Sequence, residues 1–317
     1  LGEFIVTGPA ALDLIQKVTI NDASGLVPGK VQYTAMCFED GGLVDDLLVY
    51  RLDDDKFMMV VNASNIDKDW DWVNRHNEFE VEIENLSEST ALLALQGPNA
   101  EKILREVTES SYSENPYYTF DNGTVAEEPD VLISATGYTG ERGFELYMDT
   151  RKANANSVWT ALLEKGSKYG LEPAGLGARD TLRLEMGLLL YGNDITKQTN
   201  PIEAGLGWLT KLEKGDFIGR EALLAIKEKG PERKCIGFVI EEPRKIPRSG
   251  YEICDEDGNI IGFVTSGTHS ITISKGIGLG YVPVSRAQKG ETIYISIRKN
   301  LVPATVTPPP FIRQSKH

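Results

Sequence analysis

Two adjacent acids, Asp45 and Asp46, stand inside the apolar run GGLVDDLLVY at residues 41–50. Gly41 and Gly42 read as a turn, and the residues from Leu43 to Tyr50 read as a strand. Neighbouring strand side chains point to opposite faces, so a strand covered on both faces carries at least one of these carboxylates into a protected place. An unpaired carboxylate there is costly and needs a partner, a water-filled cleft or a ligand. The alternative is an exposed turn acid followed by a capped strand start. A third acid, Glu145, sits in the strand-like FELYM between Phe144 and Leu146, with an outward-facing strand position as its alternative. Arg179 opens the helical stretch ARDTLRLEMGLLLYG and shares a helix face with Arg183, four residues on. In the same stretch Asp180 is placed to favour the helix N-terminus, and Leu182, Met186 and Leu189 form a stripe read as core. The alternative for Arg179 is a surface residue that covers its domain with its stem. Two strand acids and a helix-start Arg together suggest a cleft for a heterocycle or anion that donates hydrogen bonds and carries negative charge.

The glycines of TGYTGERGFEL, Gly137, Gly140 and Gly143, resemble those of phosphate-binding loops. The segment lacks both the strand–loop–helix setting and the Lys-Ser/Thr of a P-loop, and a strand follows it. It therefore reads as a tight hairpin that presents side chains to a cleft.

The elements that must hold these residues are mixed. PAALDLIQKVTI predicts a short helix running into a strand or turn. The stretch from Val31 to Ser64 predicts three strands joined by turns at EDGG and LDDDK. NIDKDWDWVNRHNE predicts a helix with Asn65 as N-cap and acids in its first turn. FEVEIENLS alternates as a strand does. Beyond it come a strand, Gly-Pro turn and helix in TALLALQGPNAEKILREVT, two strands around the Gly-rich connection, and two helices ended by glycine. A helix and a basic Gly/Pro-containing linker follow, and the short, closely spaced strands after them predict a mostly β C-terminal domain. The fold class is α+β.

Composition narrows the function. The chain has 317 residues, 41% apolar and 25% charged, with a formal net charge of −14. That acidity disfavours nonspecific binding to nucleic acid or anionic membrane, while a local Arg still suits an anionic ligand. No apolar run approaches membrane-spanning length. Cys37, Cys235 and Cys254 show no paired metal spacing and fit a reducing compartment. His76, His269 and His317 are scattered, so no metal centre is expected. The opening LGEFIVTGPAALDLI reads as the middle of a domain, which predicts that the natural N-terminus lies outside the sequence.

Seven segments, in order, resemble the glycine cleavage system T-protein (aminomethyltransferase) family: QYTAMCFEDGGLVDDLLVYR, VVNASNIDKDW, LLALQGPNA, TGYTGERGFEL, GLGARDTLRLEMGLLLYGNDI, FIGREAL and VTSGTHS. The resemblance covers essentially the whole chain apart from the family's N-terminal segment. It implies a three-domain, cloverleaf-like arrangement around a tetrahydrofolate cleft, with a ferredoxin-like α+β domain over 1–86, a folate-binding α+β domain over 87–224 and a β-rich, barrel-like C-terminal domain over 225–317. The implied reaction passes a one-carbon unit from the aminomethyl-loaded lipoyl arm of H-protein to tetrahydrofolate, with release of ammonia. Partners would be lipoylated H-protein and other glycine cleavage components, in the cytoplasm or, in a eukaryote, the mitochondrial matrix. The family's catalytic Asp matches Asp46, and its folate-binding Glu and Arg match Glu145 and Arg179. Asn62 and Tyr33 match positions near its folate site, and Trp208 is either pocket lining or core. The tail PPPFIRQSKH has no Tyr to match one that some relatives use for folate. Alternatives of the same fold are a tetrahydrofolate-dependent demethylase and a non-catalytic folate-binding protein, although the KGC motif of the latter is absent from the sequence. Arg244, Lys245 and Arg248 in EEPRKIPRSG are the expected basic docking patch for an acidic carrier, with a solvated surface turn as the alternative.

Overall fold

The computed structural model describes residues 1–312, so His317 and the last half of the tail lie outside the described residues. The described residues divide into two compact units, the first built from 1–36 and 45–174, the second from 37–44 and 175–312.

In chain order the first unit holds β1 (Gly2–Thr7), α1 (Ala11–Val18), β2 (Val31–Cys37), β3 (Leu43–Asp53), β4 (Lys56–Val61), α2 (Ile66–Arg75), β5 (Glu82–Asn85), β6 (Thr90–Gln96), α3 (Ala100–Leu104), β7 (Phe120–Val125), β8 (Glu128–Ser134), β9 (Gly143–Asp149) and α4 (Ala155–Gly166), with the β2–β3 tip grouped in the second unit. One sheet has the order β2-β3-β4-β1-β5 and the other β6-β9-β8-β7. The strands of 31–64 form with turns at both expected places; Asp53 pairs with Lys56 around the second.

Two strands were not legible in the sequence. Phe4, Ile5 and Val6 of β1 are all buried, so GEFIVT shows no alternation. In β7 the polar FDNGTV carries a turn-like Asn-Gly, yet its backbone pairs with β8 from Phe120 to Val125 through a register shift after Gly123.

Strand alternation sorts the first sheet into two faces. Ile5, Leu48, Tyr50, Met58 and Val60 pack against Phe120, Leu132 and Tyr147 of the second sheet. The opposite face carries Phe4, whose ring lies edge-on to Trp70 of α2 at 5.3 Å. Asp46, Leu48 and Tyr50 therefore share the sheet-facing side of β3, while Asp45, Leu47 and Val49 share the helix-facing side.

The second unit contains α5 (Leu176–Glu185), α6 (Arg220–Lys229), β10 (Arg233–Ile240), β11 (Glu252–Cys254), β12 (Ile260–Ser270), β13 (Lys275–Pro283), β14 (Thr292–Ile297) and β15 (Asn300–Val306). Its strands close into a barrel, β10-β13-β12-β11-β14-β15. Alternate residues such as Ile236, Phe238 and Ile240, or Ile293, Ile295 and Ile297, fill its core.

Three expectations for α5 are corrected. The helix ends at Glu185, just before Gly187 in a left-handed conformation, so LLLYG is not helical. Leu182 is exposed rather than core. Asp180 lies beyond the first turn and instead accepts hydrogen bonds from Nε and Nη2 of Arg183 at 2.8 and 2.7 Å. Arg183 itself is 1% exposed and bonds Asp194 at 2.6 Å, Ser266 at 2.8 Å and the Leu188 carbonyl at 3.0 Å. A helix-face pattern gives no sign of this, because the partners come from 11 and 83 residues away.

Removing the guanidinium leaves the Asp194 charge buried. Arg183→Met is expected to destabilise the barrel-containing unit by about 3–5 kcal/mol, as for other broken buried pairs. Urea unfolding followed by fluorescence checks this; a loss below about 1 kcal/mol, the scale of a surface pair, contradicts it.

Candidate active site

The two acids of β3 take different surroundings because they face different ways. Asp45 is fully buried and accepts from the Asn62 backbone N–H at 3.0 Å, Asn62 Nδ2 at 2.8 Å and Asn65 Nδ2 at 2.7 Å. Asn65 does occupy the N-cap position of α2, but its side chain makes no cap bond, and its amide donates to Asp45 from there. Asp46 is partly exposed. Its Oδ2 accepts from the Tyr33 hydroxyl at 2.8 Å and its Oδ1 from Asn62 Nδ2 at 3.0 Å. Asn62 thus holds both acids at once from the end of β4.

Burial, and then the charge of Asp45, push the Asp46 carboxyl up to about 7, against the opposing pull of the bonds from Tyr33 and Asn62. Burial and the Asp46 charge push the Tyr33 phenol well above its ordinary value. A carboxyl poised near neutrality can give or take a proton under ordinary conditions.

Glu145 lies on β9, buried, on the side that faces the first sheet. Its Oε2 accepts from the Thr136 hydroxyl at 2.5 Å and from Tyr147 at 3.5 Å. Tyr50, four residues beyond Asp46, reaches Ser134 at 3.1 Å, Thr136 at 3.4 Å and Tyr147 at 3.3 Å. The phenols of Tyr50, Tyr117, Tyr118 and Tyr147 are all raised, first by burial and also by the Glu145 charge. Glu145 is thus a buried acceptor with tyrosines near it, a setting suited to a flat heterocycle with a donor edge. Sequence reading missed Thr136, Tyr50 and Tyr147; only the alternation of β3 and β9 hinted at the last two.

Two of the glycines of TGYTGERGFEL serve packing, while the third, Gly140, takes a left-handed backbone conformation at φ 75°. A Cβ at Gly137 or Gly143 would collide with the side chain of Gln96. Gln96 donates to the carbonyls of Thr136 and Phe144, each at 3.3 Å, and accepts from Thr139 at 3.1 Å. β8 and β9 do pair as a hairpin, but its connection runs over residues 135–142 and is not the tight turn expected; Gly137 and Gly143 leave room for the side chain that pins it.

Arg179 belongs to the second unit, where it is exposed on α5, and Trp208 is also exposed rather than core. Of the basic run near 244, Lys245 pairs with Glu242 at 3.4 Å and Arg248 donates to the Gly267 carbonyl at 3.3 Å. Among the described residues no cluster of His, Cys, Asp or Glu is arranged to hold a metal, and no helix is long and apolar enough to cross a membrane.

Two family models match the chain: the GCVT N-terminal domain over residues 1–214 and the glycine cleavage T-protein C-terminal barrel domain over residues 233–312. The chain belongs to the glycine cleavage T-protein family. An aminomethyltransferase from Flavobacterium psychrophilum is 50% identical over 99% of this chain and 86% of its own length. One from Halothermothrix orenii is 52% identical over 98% of this chain and 86% of its own length. The crystal structure of glycine cleavage system aminomethyltransferase T from Bartonella henselae superposes with a TM-score of 0.89 at 33% identity, covering 99% of this chain and 84% of that one. The activity of this T-protein family member is that of a glycine cleavage aminomethyltransferase. Its mixed α/β content and closed C-terminal barrel are those of the family.

The raised Asp46 carboxyl has a thermodynamic consequence. Its folded value of about 7 lies above the ordinary 3.8, so the neutral acid favours the folded state. That contribution is complete below pH 3.8 and is lost as pH rises through about 7. Asp46→Asn carries no such proton. Its stability relative to the parent is therefore expected to climb across that window and level off above it. Parallel denaturation midpoints for the two proteins across the same range would rule this out.

Proposed function

We propose that Asp46 is the catalytic carboxylate in transfer of a one-carbon unit from the S-aminomethyl-dihydrolipoyl arm of an H-protein to tetrahydrofolate. The observation that carries this is the setting of Asp46: partly open, held by Tyr33 and Asn62, and raised to about 7. In the reaction the carbon–nitrogen bond of the aminomethyl group and its carbon–sulfur bond break, and two bonds from that carbon to folate nitrogens form. The two protons leaving the folate nitrogens are balanced by those gained on ammonia and on the dihydrolipoyl sulfur. A carboxylate beside those nitrogens stabilises the positive charge that develops as they attack. Near neutrality it also relays their protons.

Glu145 is proposed to accept hydrogen bonds from the donor edge of the pterin ring, within its surrounding tyrosines. Asn62 and Tyr33 hold Asp46 oriented and line the same folate site. Arg179 is assigned to a ring or carboxylate oxygen of the folate on the family resemblance, with a guanidinium fork suited to either. Tetrahydrofolate is a co-substrate, and the reaction as written needs no metal. We extend the reading to three functional parts, 1–86, 87–224 and 225–317, the first carrying Asp46 and the second Glu145 and Arg179.

Asp46→Asn is expected to lower ammonia release from aminomethyl-loaded H-protein by roughly 100- to 10,000-fold, the range for a lost proton-transfer group. Folate affinity should change only modestly, and the parent's turnover should rise with pH along a limb near 7, where Asp46 ionises. Turnover within a fewfold of the parent would remove Asp46 from the mechanism.

Glu145→Ala and Arg179→Ala should each weaken tetrahydrofolate binding by roughly 10- to 150-fold, equivalent to about 1.5–3 kcal/mol for a lost charge-assisted hydrogen bond. Calorimetric titration reads this directly; unchanged affinity in both variants would place the folate elsewhere.

A further inference from the structure

Behind Asp45, on α2, lies another buried acid that the reaction as derived leaves idle. Asp69 is fully buried, four residues after Asn65. That spacing puts the two side chains on one helix face, and Asn65 uses its place there to reach Asp45 at 2.7 Å. Among the described residues no well-formed hydrogen bond is donated to either oxygen of Asp69. The Lys68 ammonium, on a side chain 37% exposed, stands 3.5 Å away, long for a charge-assisted bond.

We propose that Asp69 is a positioning residue for Asp46, acting from the helix behind the strand through Asp45 and Asn62. The inference rests on the catalytic reading of Asp46 given above.

A buried carboxyl that receives no good donor is stable only as the neutral acid, and a neutral acid is itself a donor. With three donors on Asp45 and none well placed on Asp69, the proton belongs on Asp69, and burial and then Asp45 push its carboxyl well above the ordinary range against the pull of Lys68. Asp45 is the acceptor at hand. Three of its lone-pair positions take Asn62 N, Asn62 Nδ2 and Asn65 Nδ2, which leaves room for a further donor. The proposed chain then runs from Asp69 to Asp45, which interacts with it and meets Asn65 of the same helix face, on to Asn62 and from there to Asp46, with the Asn62 amide shared between the two strand acids at 2.8 and 3.0 Å.

Without the proton of Asp69, Asp45 would draw the shared amide toward itself and expose Asp46 to more of its charge. Both effects raise the pH at which Asp46 ionises. The other titratable groups facing this chain are Lys68, beside Asp69, and Tyr33, which bonds Asp46 and has Tyr118 and Tyr138 as neighbours.

The test uses the full chain with aspartate labelled at the side-chain carboxyl with carbon-13, read by NMR titration, beside the pH profile of ammonia release. In the parent, one carboxyl signal stays protonated through pH 8 and vanishes in Asp69→Asn. Asp69→Leu, which supplies no donor, moves the Asp46 titration and the acid limb of turnover upward by at least about half a unit, within the range such environments produce. It lowers turnover roughly 10- to 100-fold, as misplaced reacting groups do, with the KM for tetrahydrofolate held within about twofold. Asp69→Asn, whose amide donates to Asp45 as the neutral acid does, restores the limb. Full ionisation of every aspartate in the parent at pH 8 overturns the proposal even if the leucine variant does not fold. So does a limb displaced equally in the asparagine variant, or one left in place in a folded leucine variant. The NMR arm does not depend on turnover: if Asp46 proves dispensable for chemistry, its titration still reports whether Asp69 acts on it.

Discussion

A carboxylate cannot lie on the covered face of a sheet without donors, and the first unit is arranged around meeting that demand for Asp45. Its donors come from one short segment, the backbone and side chain of Asn62 and the side chain of Asn65. The segment is the link between β4 and α2, so satisfying one charge fixes where the strand ends and where the helix starts. It also fixes Asn62, whose remaining bond goes to Asp46. Loss of any of these donors would leave a buried charge short of partners, which is more damaging than loss of an ordinary exposed bond.

The same alternation that hides one acid presents the other. Asp46 shares its side of β3 with Leu48 and Tyr50, and this side packs on the sheet that carries Glu145. Tyr50 inserts its hydroxyl among Ser134, Thr136 and Tyr147, so the seam between the sheets is apolar along most of its length and polar beside Glu145. Such a network is stable only when its members are mutually bonded, and it then holds its side chains in one arrangement. The β3 strand therefore carries both a reactive group and a brace for a second acid.

Much of this was legible in the sequence, and what was not has definite causes. The adjacent acids in VDDLLVY pointed to one protected carboxylate if the strand were covered on both faces, with an exposed turn acid as the alternative, and the burial of Asp45 decides for the first. Asn65 was legible as a helix start, but a pattern of residue types does not show that a carboxylate twenty residues earlier would claim its side chain. Asp69 was legible only as one of the acids in the first turn of that helix, and its burial comes from tertiary packing. The buried pairing of Arg183 with Asp194 and Ser266 was hidden for the same reason. β7 escaped because Asn-Gly ordinarily marks a turn, and here the strand absorbs it with a register shift. Local chemistry was readable wherever its partners were near in sequence or fixed by strand alternation.

Gln96, Gly137 and Gly143 occupy one volume between them. A Cβ at either glycine would first meet the end of the Gln96 side chain and push the amide from its place. In evolutionary terms the three positions form a single unit of variation. A change at Gln96 to a small residue would release both glycines to drift, whereas either glycine changing first meets a steric barrier. The spacing that imitates a nucleotide loop would then dissolve in lineages that lost the glutamine, with the acids of the site left as they are.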